Sequence, residues 1–166
     1  MVISDLADAP ALDRARKAGI ATEVISYEGD RSAFTSAICD VAAGFGAEAL
    51  VLAGFMRILG LEAVKRFPDR ILNIHPSLLP AFPGANAVAR ALAHGVTVTG
   101  ATVHFVNEEV DKGPIILQEA VPVLPGDDES TLHSRIQKIE HELYPRAVTA
   151  FLRGDVRVED GNVVWS

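Results

Sequence analysis

The sequence has 166 residues, which is enough for one globular domain with a sizeable core. Hydrophobic residues make up 49% of the sequence and charged residues 22%, a balance that argues against a disordered chain. The formal net charge of -7 argues against a general nucleic-acid binder, which needs a basic face, but leaves room for an anionic small molecule held by a few local groups.

Short apolar runs alternate with helical patterns along the chain. In the first half the strands are predicted at Met1–Ser4, Thr22–Ser26, Ala49–Ala53 and Ile71–Ile74, and the helices at Asp8–Ala18 and Ser32–Phe45. In the second half a helix is predicted at Ala87–Ala93, strands at Thr99–Val106 and Pro114–Val123, a long helix at Asp127–Phe151 capped by Asp128 or Ser130, and a closing hairpin at Val156–Glu159 and Val163–Trp165. This alternation predicts an α/β fold with a mostly parallel sheet.

The sequence shows no domain boundary and no membrane-targeting segment. We see no internal repeat or linker, so residues 1–166 are expected to form one domain. No apolar run approaches the roughly 18 residues that span a membrane, and no signal peptide is visible at Met1–Asp8. The single cysteine, Cys39, excludes an intrachain disulfide and is expected as a buried helix residue. These features predict a cytoplasmic protein.

The segment from Leu72 to Pro80 carries the clearest chemical signal. Side chains alternate along a strand, so Asn73 and His75 are predicted to share one face, and Pro76 then ends the ladder. Ligands of open α/β sheets bind at the carboxyl ends of strands. Either residue alone fits an ordinary role, as a turn cap or a half-exposed histidine, but the pair before a proline-rich loop favours a site.

A second polar strand and loop follow. Thr102 and His104 share one face of the predicted strand, and Asp111 comes next in a loop that contains Gly113 and Pro114. A lone loop aspartate is usually a turn residue or a solvated charge. A functional role requires Asp111 to approach His75. We expect no metal here, because no metal-type histidine spacing occurs.

Four long motifs resemble the glycinamide ribonucleotide formyltransferase family in both order and spacing: AGFMRIL (53–59), NIHPSLLPAFPG (73–84), TGATVHFV (99–106) and VDKGPIILQ (110–118). The similarity runs from about Ile3 to the carboxyl terminus. It implies a Rossmann-like formyltransferase fold, with helices on both faces of a mostly parallel sheet. It also implies transfer of a formyl group from 10-formyltetrahydrofolate to the amine of glycinamide ribonucleotide, by a monomer or homodimer, without metal, nucleic acid or membrane.

The resemblance also implies roles for particular residues. The catalytic residues would be Asn73, His75 and Asp111. The folate would be bound by Arg31, Met56, Arg57, Ile58, Leu59, Asn73, Asn107, Glu108, Glu109, Val110 and Asp111. The nucleotide substrate would be met by Gln137, Lys138, Ile139 and Glu140, with Glu140 accepting hydrogen bonds from ribose hydroxyls. Packing after a strand, or a solvated helix face, would explain the same residues without a ligand. The family also suggests a cis bond at Leu79–Pro80.

The sequence departs from the family in two places. It begins at what resembles the family's second strand, so the first βα unit, with its Gly-Ser-Gly-Ser-Asn phosphate loop, is expected to be missing. In addition, Asn86 and Ala89 stand where many relatives have a histidine and a basic residue. Two alternatives therefore stay open: a formyltetrahydrofolate deformylase, in which water replaces the amine, and a truncated, non-catalytic folate-binding remnant.

Overall fold

The computed structural model describes every residue from Met1 to Ser166. The chain divides into two compact units, one formed by residues 1–49 and 56–68 and the other by residues 50–55 and 69–166. The prediction of one domain over residues 1–166 stays a prediction. No helix is both long enough and apolar enough to cross a membrane.

The first unit contains two short strands and three helices: β1 (Val2–Ser4), α1 (Pro10–Lys17), β2 (Thr22–Val24), α2 (Arg31–Gly44) and α3 (Leu61–Arg66). The two strands pair in parallel, and α1 packs against both of them. Asp30 caps α2 by accepting hydrogen bonds from Ser32 N and Ala33 N at 2.8 and 3.0 Å. The backbone N–H of Gly60, which precedes α3, donates to Thr35 Oγ1 at 2.8 Å. This bond fastens the start of α3 to α2.

The second unit contains the larger sheet, a closing hairpin and two helices: β3 (Leu50–Leu52), β4 (Ile71–His75), α4 (Ala87–His94), β5 (Val98–Phe105), β6 (Ile115–Pro122), α5 (Glu129–Arg153), β7 (Val156–Glu159) and β8 (Asn162–Trp165). The strand order of the larger sheet is β3-β4-β5-β6. Strands β3 and β4 are parallel, whereas β4–β5, β5–β6 and β7–β8 are antiparallel.

Helix α5 covers one face of this sheet. Asp128 caps the helix, accepting from Thr131 N at 2.8 Å while Thr131 Oγ1 accepts from Asp128 N. The buried residues Leu132 and Ile136 pack in one core cluster with side chains of β4, β5 and β6. The hydroxyl of Tyr144 lies 2.7 Å from Leu52 O and 2.9 Å from Leu72 O, both of which accept from it, so α5 is tied to the ends of β3 and β4.

The structure confirms the α/β class and most predicted elements, with three differences. The predicted parallel pairing holds for β1–β2 and β3–β4, but β4–β5 and β5–β6 are antiparallel. The short loop between β5 and β6 suits an antiparallel pair. The six-residue α3 was not predicted. The continuous apolar run at Ala49–Ala53 predicts a strand buried on both faces, yet Val51 of β3 is 45% exposed.

Candidate active site

One face of the β4–β5 pair is apolar and the other is polar. Leu72 packs into the core from β4, as do Val103 and Phe105 from β5, so the alternate residues of both strands point the other way. The antiparallel register sets Asn73 opposite His104 and His75 opposite Thr102. The predicted shared face of Asn73 and His75 is therefore confirmed, and β5 adds its own polar pair beside it.

Both ring nitrogens of His75 face oxygen atoms that can only accept hydrogen bonds. Nδ1 lies 3.3 Å from Asp111 Oδ2, and Nε2 lies 2.9 Å from the backbone oxygen of Phe82. The ring is 6% exposed, so little water is available as an alternative partner. The two contacts hold the ring between Asp111 and the loop that follows β4.

Asp111 reaches His75 from the loop between β5 and β6. Its backbone has a φ of 54°, a left-handed conformation that aspartate tolerates better than most residues, and its carboxylate accepts from Gly84 N at 2.7 Å. Burial acts to raise the pKa of Asp111. Contact with the His104 ring, the hydrogen bond from Gly84 N–H and the nearby His75 together outweigh burial, so the pKa of Asp111 lies below its ordinary value. The carboxylate is therefore ionised at neutral pH.

Close backbone packing holds the Asp111 loop in place. A side chain at Gly113 would put its Cβ 1.8 Å from the backbone oxygen of Phe105, so only glycine fits where the loop returns to β5. On the other side of the site, Thr102 Oγ1 donates to Ser77 O at 2.7 Å and accepts from Leu79 N at 3.1 Å. The loop after His75 is thus fastened to β5, and its Leu79–Pro80 bond is cis, as expected.

His104 lies at the centre of this polar face and is 1% exposed. Its Nε2 is 3.3 Å from Asn73 Nδ2 and 3.6 Å from Asp111 Oδ1, while its Nδ1 is 2.8 Å from Phe105 O. The structure therefore brings together the three predicted catalytic residues, Asn73, His75 and Asp111, and joins them through a second histidine. These side chains form no group arranged to hold a metal ion.

The predicted folate residues of the first unit line a cleft of about 270 Å³. Its walls are Tyr27, Arg31, Met56, Arg57 and Ile58. The Arg57 guanidinium lies 4.6 Å from the centre of the Tyr27 ring and donates to Asp5 Oδ2 at 3.0 Å. Leu59, also predicted, is partly buried and does not line the cleft. Met56 is 86% exposed, so core packing does not explain this side chain.

The predicted residues of the β5–β6 loop are mostly exposed. Asn107 Oδ1 accepts from Glu109 N at 3.0 Å, and the Glu109 carboxylate forms an ion pair with Lys112 Nζ. Glu108 and Val110 also face solvent. Only Asp111 turns inward from this loop to the histidines.

The predicted nucleotide-binding residues form a stretch of α5. Gln137 and Lys138 are exposed, whereas Ile139 and Glu140 are partly buried. Burial raises the pKa of Glu140, and the nearby His133 and His141 only partly offset that effect. No hydrogen bond joins this stretch to the histidine cluster. A larger cleft of about 380 Å³ contains none of the predicted site residues, and it is lined by Pro145, Arg146, Thr149, Ala150 and Arg153 of α5 and by Asp155.

Sequence reasoning missed three contributors to the site: His104 and the backbone groups of Phe82 and Gly84. The alternation of Thr102 and His104 along β5 was visible, but the pairing of β5 with β4 was not. The backbone groups leave no signal in residue type.

A buried histidine held against an ionised carboxylate, beside an amide, defines a site for acid–base chemistry on a small molecule. Residues 1–148 match the formyl transferase family. The phosphoribosylglycinamide formyltransferase of Escherichia coli (strain K12) is 42% identical over 166 residues, covering 99% of this chain and 78% of that protein. A crystal structure of glycinamide ribonucleotide transformylase 1 from Symbiobacterium toebii superposes with a TM-score of 0.95 at 48% identity, covering 99% of this chain and 79% of that one.

The trifunctional purine biosynthetic protein adenosine-3 of Bos taurus is 49% identical over 168 residues, which cover 99% of this chain. The chain spans only 17% of the length of that relative. On the matched domain and these identities, the chain belongs to the formyl transferase family.

Proposed function

We propose that this chain transfers a formyl group from 10-formyltetrahydrofolate to the amine of glycinamide ribonucleotide, a step of purine biosynthesis. The observation that carries the proposal is the 3.3 Å contact between His75 Nδ1 and Asp111 Oδ2, made beside Asn73 on one face of the sheet. Formyl transfer needs hydrogen-bond donors for a developing oxyanion and a group that moves a proton, and this cluster offers both.

The chemistry assigned to each residue follows from the charge that develops. When the substrate amine attacks the formyl carbon, negative charge grows on the formyl oxygen, and the Asn73 amide and the His75 ring donate hydrogen bonds to it. The ionised Asp111 stabilises the positive charge on His75. The amine then loses a proton while the folate nitrogen gains one, as the bond between that nitrogen and the formyl carbon breaks.

In the ligand-free chain each His75 ring nitrogen already lies against an oxygen atom of the protein. One of its two contacts must open for the ring to reach a formyl oxygen. The contact with Asp111 carries the charge stabilisation, so the one that opens is the 2.9 Å hydrogen bond from Nε2 to Phe82 O. The formyl oxygen then occupies the position of the Phe82 backbone oxygen, which accepts the hydrogen bond from Nε2 in the ligand-free chain.

The residues proposed to bind the folate suit a flat, polar, anionic ligand. The cleft of the first unit, about 270 Å³, is slightly smaller than the roughly 300–1,000 Å³ of ligand pockets and can hold part of such a molecule. Arg31 has no side-chain partner in the structure and can meet a carboxylate. In the second unit we assign folate contacts to Asn73, to Asp111 and to the exposed segment 107–110.

The nucleotide substrate is assigned to Gln137, Lys138, Ile139 and Glu140. The Glu140 carboxylate is partly buried, and it accepts no hydrogen bond from the protein. Ribose hydroxyls would supply the donors that it lacks. Lys138 offers a positive charge one turn away from His141. A cytoplasmic location, and a monomeric or homodimeric state, stay predictions for this chain.

A turnover assay tests the proposal. The chain is incubated with 10-formyltetrahydrofolate in the presence and absence of glycinamide ribonucleotide, and formylated nucleotide and free formate are both measured. We expect formylated nucleotide only when both substrates are present. Formate released at the same rate without the nucleotide would instead establish a deformylase. Binding of a folate analogue with no turnover of either kind would establish a non-catalytic folate-binding protein.

A further inference from the structure

His104 lies between Asn73 and Asp111, two residues of the proposed reaction, and we assign it no ligand contact of its own. It is buried on β5, opposite Asn73, and its ring touches Asn73 at one edge and its own backbone neighbour at the other. The chemistry proposed above assigns it no role. A buried imidazole with two defined polar contacts constrains both neighbours, because each ring nitrogen can act only as a donor or only as an acceptor at one time.

The proton arrangement of His104 follows from its partners. Nδ1 lies 2.8 Å from the backbone oxygen of Phe105, which only accepts, so Nδ1 carries a hydrogen. Nε2 lies 3.3 Å from the Asn73 NH₂ group, which only donates, so Nε2 must accept. A hydrogen on Nε2 would point toward Asp111 Oδ1 at 3.6 Å, beyond hydrogen-bond distance, and would oppose the nearer amide hydrogens.

We infer that His104 is a positioning residue that, as a neutral ring protonated on Nδ1, holds the Asn73 amide with one hydrogen bound and the other free for the formyl oxygen. This inference rests on the proposed function. An unconstrained asparagine can present either its oxygen or its nitrogen to a ligand, and an amide oxygen would repel a developing oxyanion. With His104 in place, the amide is oriented before the substrate arrives, which is the condition for electrostatic stabilisation at little reorganisation cost.

The first arm of the test observes the ring directly. Nitrogen-15 NMR of histidine-labelled protein, assigned with His104→Gln, distinguishes a protonated from an unprotonated ring nitrogen. We expect His104 to show hydrogen on Nδ1 and none on Nε2 at neutral pH. A hydrogen on Nε2 would overturn the inference, and this arm holds whether or not the chain turns over any substrate.

The second arm is kinetic and begins with the wild-type chain. If that chain forms no formylated nucleotide, the result counts against the proposed function and not against the assignment of the His104 hydrogen to Nδ1. His104→Leu should lower kcat by about 10- to 100-fold, the range expected for a misplaced catalytic group, with KM and folate-analogue affinity nearly unchanged. His104→Gln should recover part of the rate, because its side-chain oxygen can accept from Asn73.

A double-variant cycle separates positioning from a general structural role. If His104 acts through Asn73, then Asn73→Ala combined with His104→Leu should be no slower than Asn73→Ala alone. Losses that multiply would overturn the inference, as would wild-type kcat in His104→Leu. The matched control is Thr99→Val, a change on the same strand at a buried hydroxyl with no hydrogen-bond partner, which should leave kcat unchanged. If His104→Leu does not fold, His104→Gln and the NMR arm still decide.

Discussion

Asn73 and His104 stand directly opposite each other on neighbouring antiparallel strands, and their side-chain nitrogens meet at 3.3 Å. The register of the β4–β5 ladder, rather than a loop, sets this contact. A slip of one residue would turn both side chains into the core, where Leu72 and Phe105 now pack. The same hydrophobic burial that stabilises the sheet therefore fixes the geometry of the polar face.

Replacing His75 should remove turnover and spare ligand binding. His75→Ala deletes the donor that we assign to the formyl oxygen, so kcat should fall by roughly 10²–10⁴-fold, the range for a lost acid–base group. The predicted folate residues of the first unit do not include His75, so affinity for a folate analogue should persist. Steady-state kinetics and analogue titration check this. Parallel losses in rate and in analogue affinity would show that His75 supports the structure of the site instead.

Asp111 should confer a pH dependence on stability that can be removed. Its folded pKa lies below its ordinary value, whereas the unfolded chain has a pKa of about 3.9. The stabilisation from the ionised group is therefore fully present above the unfolded pKa and is lost as the pH falls through the lower folded pKa. Asp111→Asn keeps an acceptor for Gly84 N and tolerates the left-handed backbone, but it cannot ionise.

The Asp111→Asn variant should thus lose less stability than the wild type as the pH falls below about 4, even though it is less stable at neutral pH. Melting temperatures from about pH 7 down to about pH 3 check this, and parallel pH curves for the two proteins would contradict it. Formyl transfer should also fall at neutral pH, since the charge that stabilises the His75 imidazolium is gone.

The core and one face of the site follow from sequence periodicity. The apolar run at Ile71–Ile74 places Asn73 and His75 on one face of their strand, and the alternation at Thr99–Val106 does the same for Thr102 and His104 on theirs. What periodicity does not give is which strands pair. The contact between the two polar faces appears only once β4 and β5 are known to be antiparallel neighbours.

The loops explain why the remaining parts of the site could not be predicted from local pattern. Asp111 reaches His75 through a positive φ that its own residue type permits but does not require. Helix α3 has only six residues, too few for an apolar period to show. The family resemblance, not physical reasoning from the residues, pointed to Asp111 and to the α5 stretch around Glu140.

Glu140 should show opposite effects on stability and on substrate use. Burial raises its pKa, so its ionised form is disfavoured by folding and stability is lost as the pH rises through the folded value. Glu140→Gln removes that penalty and should leave the melting temperature at neutral pH unchanged or higher. It should raise the KM for glycinamide ribonucleotide by about tenfold or more, because hydrogen bonds to a charged group are stronger than neutral ones.

The control for Glu140 is Glu142→Gln, two positions later on α5, whose side chain is exposed. Both substitutions introduce glutamine and remove one charge, so they separate the loss of a partly buried acceptor from a general change in surface charge. An unchanged KM for the nucleotide in Glu140→Gln would remove Glu140 from the substrate site.

Gly113 should be the residue where one added methyl group damages both stability and catalysis. A Cβ at this position would lie 1.8 Å from the backbone oxygen of Phe105, so the Asp111 loop would have to move away from β5. We expect Gly113→Ala to lower the free energy of unfolding by roughly 1–3 kcal/mol, the range for overpacking, and to lower kcat as Asp111 shifts from His75. Urea denaturation and steady-state kinetics measure the two effects.

The matched control for Gly113→Ala is Gly44→Ala in α2. No atom lies within 4 Å of the Cβ added at Gly44, and its backbone is not left-handed, so this substitution should be neutral or slightly stabilising. Equal stability of the two variants would mean that the loop accommodates the methyl group and that close packing at Gly113 does not position Asp111.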